Sequence, residues 1–199
     1  MGKAVIVMSK KKTIFLLVLC SILNNALSQT AVTIYTPKGS VVPDTYLRPE
    51  LSSSQIEAAN NYVATNYPNA TRLTDASSTY NCHGYAWHIT EGGSNVWIGY
   101  YTSTAEDIYW NDGSYMEICS QQYPAKVSYA FDNHSAVTTS TTDIFRSKWG
   151  DYPVMQHEKT YVPYNSSSLK YYIKTPSISG PDNFCTSDTY SIPNLPAGA

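Results

Sequence analysis

A cysteine and a histidine, held in two separate stretches, carry the chemistry this chain can offer. Cys82 stands in Tyr80-Asn81-Cys82-His83-Gly84-Tyr85-Ala86-Trp87-His88, between a polar loop (Leu73 to Thr79) and a short apolar run. That pattern suits a cysteine in the first turn of a buried helix, where free backbone N–H groups and the helix dipole favour an anion. A thiolate is such an anion, and its pKa falls at a helix N-terminus or beside an imidazolium. His134 stands in Tyr129-Ala130-Phe131-Asp132-Asn133-His134-Ser135-Ala136-Val137. An imidazole titrates near neutrality, so it can pair with a thiolate and move its proton. A thiolate so activated attacks an amide or ester carbonyl. The Cys82 N–H, with Asn81 or Tyr80, would hold the oxyanion. A third group should orient the imidazole. Ser147 on the next strand is one candidate, His157 with Glu158 just beyond is another, and a backbone carbonyl would also serve.

The elements that must position these residues follow from periodicity and turn signals. Ala31 to Tyr35 reads as an edge strand and residues 36–50 as an extended loop broken by Pro37, Gly39 and Pro43. Ser54-Gln55-Ile56-Glu57 has the form of a capping box. Ile56, Ala59, Val63 and Tyr67 then recur at helical spacing until Pro68, which predicts a helix over about residues 54–66. A second helix, about residues 82–90, should end at Gly92-Gly93. Tyr115 to Cys119, Ala125 to Phe131, His134 to Thr138, Asp143 to Trp149, Thr160 to Tyr164 and Leu169 to Lys174 are strand candidates, with Asp132-Asn133 as a tight turn. Trp87, Tyr85, Trp149 and Trp110 are expected in the core. Helices first and an antiparallel meander afterwards make an α+β layout.

A cysteine opening a helix, followed by a meander whose second strand starts with histidine, resembles the papain-like superfamily, and most nearly its NlpC-type endopeptidases and CHAP amidohydrolases. Asn81-Cys82-His83-Gly84-Tyr85-Ala86-Trp87 is similar to their nucleophile segment. Lys126-Val127-Ser128-Tyr129 with Asn133-His134-Ser135-Ala136-Val137 is similar to their strand, turn and histidine. The resemblance runs from about Leu51 to Tyr164. It implies a papain-like α+β fold, with the nucleophile helix packed on the meander, and a thiol peptidase or amidase acting on peptides or peptidoglycan stem peptides, without a cofactor. His83 departs from the pattern, where a small or polar residue is more usual. Ile144 to Gly150 also has no Asn, Asp, His or Glu to orient the imidazole.

The chain ends bound the setting. Lys10-Lys11-Lys12, the apolar run Thr13 to Leu23 and Ala26-Leu27-Ser28 have the form of a signal peptide over residues 1–28, too short to span a bilayer. Met8 opens a cleaner signal than Met1. Cleavage would remove four of the thirteen basic residues and none of the fifteen acidic ones, leaving nine against fifteen, a formal charge of −6. A net acidic surface argues against nucleic acid. A secreted, periplasmic or cell-surface monomer is expected, with no membrane contact after cleavage. Three cysteines then remain, Cys82, Cys119 and Cys185, so at least one is unpaired unless chains cross-link. Cys119 is expected to be buried or bridged. Residues 29–175 form the hydrolase domain. Residues 176–199, with Ile178-Ser179-Gly180-Pro181 and Cys185, resemble the opening of the immunoglobulin-like repeats of secreted bacterial proteins, but two strands fall short of the about seven such a sandwich needs.

Two other readings compete. Cys82, His83, His88, His134 and His157 are zinc-type ligands, but no Cys-x-x-Cys or His-Glu-x-x-His spacing occurs, so no metal is expected. An acidic, Tyr- and Trp-rich exported domain also suits a glycan or protein binder at a cell surface, which would have no need for a paired Cys82 and His134.

Overall fold

A computed structural model describes residues 29–176. The signal-peptide segment and all but the first residue of the immunoglobulin-like segment, Cys185 included, lie outside the described residues. The chain is mostly sheet. Strands β1 (Thr30–Ala31), β2 (Thr45–Leu47) and β4 (Trp97–Ile98) form a small antiparallel sheet in the order β1-β2-β4. Strands β3 (Thr71–Arg72), β5 (Tyr115–Ile118), β6 (Lys126–Tyr129), β7 (Ser135–Thr138), β8 (Ile144–Lys148), β9 (Val154–Glu158) and β10 (Leu169–Lys174) form a seven-stranded antiparallel sheet in the order β3-β9-β8-β7-β6-β10-β5.

This architecture overturns the papain-like α+β expectation. Two sheets dominate, and among the described residues only α1 (Ser53–Asn66) is a helix of several turns. The nucleophile helix expected over residues 82–90 forms over that span but not as an α-helix: an opening turn at Cys82 and His83 leads into a π-helical turn at Gly84–His88 and a 3-10 turn at Ile89–Glu91. Its apolar run is too short to sustain more, and Gly92 at φ 92° takes the left-handed conformation that closes it. Gly84 is required there by contact, since a Cβ would come within 2.0 Å of the Val96 carbonyl oxygen. The π-helical turn rests on β6, β7 and β8.

Other expectations shift in detail. The capping box of α1 is Ser52 with Gln55, not Ser54 with Glu57: Gln55 N donates to Ser52 Oγ and Ser52 N to Gln55 Oε1. Val63 is the fully buried residue of that helix and packs on Trp149 and Met155. Strand β2 forms in the segment read as a loop, and β9 was not foreseen. Residues 160–164 form no strand and instead carry Tyr164 across the site. Strand β10 inserts between β6 and β5, pairing Tyr171 with both Val127 and Ile118.

The largest apolar cluster gathers around Trp87, which is 1% exposed, with Tyr109, Tyr115, Tyr172 and Ile98. Four aromatic rings surround the indole at centroid distances of 5.3–5.7 Å. Trp87 and Trp149 are core residues, as their sequence context implied.

Candidate functional site

The loop before Cys82 is held from below by Glu50. Ser77 Oγ donates to Glu50 Oε2 at 2.6 Å and Ser78 N to Glu50 Oε1 at 3.0 Å. Burial would raise the Glu50 pKa, but the hydrogen bonds from Ser77, Leu51 and Ser78 outweigh it and hold the carboxyl below its usual range. Asn81 then caps the turn and ties it to β4. Its Oδ1 accepts from Gly84 N at 2.9 Å and Ile98 N at 3.2 Å, and its Nδ2 donates to Ile98 O at 2.7 Å. These bonds fix the amide in place and position Cys82, and Asn81 itself lines the cleft. Tyr80 lies outside the cleft lining, its ring 4.8 Å from Lys148 Nζ.

Cys82 and His83 both line an open cleft of about 410 Å³. Trp97, Tyr100 and Tyr101 form one wall, and Asp132, Asn133 and Tyr164 another. A second hollow of about 370 Å³, around Glu91, Tyr123 and Lys126, has neither cysteine nor histidine in its lining. His83 is buried beneath the cleft. Its Nδ1 is 2.9 Å from Ser135 Oγ and 3.0 Å from Glu106 Oε1, the latter a charge contact without hydrogen-bond geometry. Trp87 Nε1 donates to the same Ser135 Oγ at 2.9 Å. Burial alone would lower the His83 pKa, but the negative charges of Cys82 and then Glu106, with polar contacts to both, hold it well above the ordinary histidine value.

His134 occupies a different environment. It is fully buried, stacked on Tyr164 at 3.8 Å and edge-on to Tyr129 at 4.9 Å, and neither ring nitrogen has a hydrogen-bond partner. Burial, then the charges of His157 and His83, push its pKa well below the usual value. It is a neutral imidazole behind the tyrosine that lines the cleft. Ser147 and His157 do meet, but they meet each other: Ser147 Oγ is 2.7 Å from His157 Nε2, and His157 Nδ1 is 2.8 Å from Glu158 O. Trp149 Nε1 donates to Ser147 Oγ at 2.9 Å, closing the group. Neither residue sends a hydrogen bond to His134, so the expected orienting contact is not formed. Cys119 is exposed, not buried, and is free among the described residues.

Four residues that sequence reasoning passed over belong to this region: Glu106, Ser135, Lys148 and Tyr164. Ser135 had a weak signal, as the neighbour of His134 at a strand start. Glu106 lay in a polar stretch without periodicity. Lys148 sits at the end of β8, fully buried, with Nζ donating to Ser77 O at 2.7 Å and to Gly150 O. Burial pushes its pKa down to about 7, partly offset by the charges of Asp151, Cys82 and Glu50.

Lys148 leads to a prediction. Below about pH 7 its ammonium is charged in both folded and unfolded chains, and the cost of burying it is carried in full. Between that pH and the unfolded lysine value of about 10.4, the folded state has released a proton that the unfolded state keeps, so stability rises with pH by up to about 1.4 kcal/mol per unit. Urea midpoints for the parent should climb from pH 7 towards pH 9, and Lys148→Met should lose that part of the slope. An identical slope in the two proteins would refute the assignment.

Comparisons with family models, curated proteins and solved structures found no match.

Proposed function

We propose that the chain is an exported cysteine hydrolase that cleaves amide bonds in peptides or peptidoglycan stem peptides through a Cys–His pair. The observation that supports this most is the shared cleft: a cysteine in the first turn of its helical segment, with an imidazole beside it that is backed by Glu106 and Ser135. Cys82 attacks the carbonyl carbon, its S–C bond forming as the carbonyl π pair moves to oxygen. On collapse the C–N bond breaks, the amine leaves with a proton from the imidazolium, and water then releases the acyl group. His83 is the better placed partner because it shares the cleft, whereas His134 lies behind Tyr164.

Iodoacetamide labelling near neutral pH, read separately at Cys82 and Cys119, tests the reading. Cys119 is exposed and Cys82 is 5% exposed, so access alone favours Cys119. Faster labelling of Cys82 is expected, because a thiolate held beside a cation reacts ahead of an ordinary thiol. His83→Gln should slow it, while an equal slowing by His134→Gln alone would transfer the role of base to His134. The aromatic wall of Trp97, Tyr100 and Tyr101 favours a second reading, a non-catalytic domain that binds glycan or protein. Slow labelling of Cys82 in the parent would give that reading the lead.

A further inference from the structure

Beside the cleft, two turns distant in sequence bring three carboxylates together. Glu106 and Asp107 come from the 3-10 turn Ala105–Asp107. Asp132 comes from a turn left-handed at two successive residues, Phe131 at φ 61° and Asp132 at φ 52°. One oxygen from each carboxylate lies within 4.8 Å of the other two.

Glu106 is the telling member. Its carboxylate is 0% exposed, and neither oxygen accepts a hydrogen bond. Oε1 has only the charge contact with His83 Nδ1, and Oε2 faces no donor. Asp107 Oδ1 is likewise buried without a partner, whereas Asp132 Oδ1 accepts from Ser128 Oγ at 3.0 Å. A buried carboxylate without donors is costly, and proteins ordinarily satisfy one with hydrogen bonds, a counter-charge or a metal. His83 and Lys170 supply two positive charges at most against three negative ones.

We infer that Glu106, Asp107 and Asp132 form a binding site for a calcium ion at the wall of the cleft. All the donors are hard carboxylate oxygens, which suit Ca²⁺ or Mg²⁺ rather than zinc or copper. The donor set favours the larger ion: Ca²⁺ accepts several carboxylates in irregular geometry, whereas Mg²⁺ demands a near-ideal octahedron and usually keeps its waters, taking only one or two carboxylates. Asp132 lines the cleft, so water can complete the coordination shell from that side. The inference does not depend on Cys82 being a nucleophile.

The test uses the full chain carrying Cys82→Ala, stripped with EGTA, so that the outcome is separate from any hydrolytic activity. Calorimetric titration with CaCl₂ should show one saturable site with Kd on the order of 10⁻⁴ M or tighter, together with a rise in Tm. Asp107→Asn with Asp132→Asn should weaken binding at least about tenfold, since each exchange removes a ligand charge. MgCl₂ should bind more weakly than CaCl₂. Should the double variant fail to fold, Asp107→Asn alone with Tb³⁺ luminescence, displaced by CaCl₂, gives the same comparison. No heat and no Tm rise at about 10 mM CaCl₂, binding unchanged in the variants, or MgCl₂ binding as tightly as CaCl₂ would overturn the assignment.

Discussion

Cys82→Ala is expected to abolish amide hydrolysis, with kcat/KM falling on the order of 10⁴-fold or more, because the atom that forms the acyl bond is gone. The fold should survive. Cys82 behaves in packing as a small buried hydrophobe, and losing one sulfur should cost about 1 kcal/mol. The residues that shape the site remain: Asn81 keeps its three hydrogen bonds, and His83 keeps Ser135 and Glu106. Cys119→Ala, at an exposed free thiol, should leave activity unchanged. The measurements are turnover of peptide and muropeptide substrates and a thermal melt of each variant. Hydrolysis by Cys82→Ala at the parent rate would end the hydrolase reading, and a collapse of its melting temperature would make Cys82 a structural residue.

The largest stability effect should come from Trp87→Ala. The indole is 1% exposed and packs against Tyr109, Trp110, Tyr115 and Tyr172. Removing a buried tryptophan leaves a large cavity and costs about 3–5 kcal/mol. For a chain of this size that lowers Tm by about 10 °C. The loss reaches the site too, because Trp87 Nε1 and His83 Nδ1 share Ser135 Oγ. Trp87→Ala should therefore also slow Cys82 alkylation, while Trp87→Phe, which fills most of the volume, should cost about half as much. Urea denaturation followed by tyrosine and tryptophan fluorescence measures the first effect, and labelling kinetics the second. A loss below about 1.5 kcal/mol would show that the aromatic cluster can close over the gap.

Sequence by itself determined the local features. Ser52 and Gln55 stand three apart before a helical stripe, and only the choice among neighbouring serines was misread. The polar–apolar alternation of Lys126–Tyr129 announces a strand because side chains on a strand alternate between faces, while Ser135–Thr138 and Ile144–Lys148 are marked by the turn residues that bound them. Cys82 at the start of a short helical segment was legible for a similar reason, since a polar loop, an Asn cap and a glycine stop all lie between Leu73 and Gly92. What only the tertiary structure decided are the pairings between distant segments. β10 returns to lie between β6 and β5, a choice set by which buried faces fit and not by any local signal. The helical segment over residues 82–91 takes π and 3-10 form where an α-helix was expected, and its π-helical turn lies on three strands of a wide sheet. Glu106 meets His83 across 22 intervening positions, and Asp132 joins Glu106 and Asp107 from a turn of its own. Ser147 and His157, both read as orienters of His134, satisfy one another instead because β8 and β9 are neighbours in the sheet. Hydrogen-bond partners and charge contacts of buried groups depend on distances of a few ångströms between residues far apart in the chain, and those distances are set only when the whole sheet has closed around them.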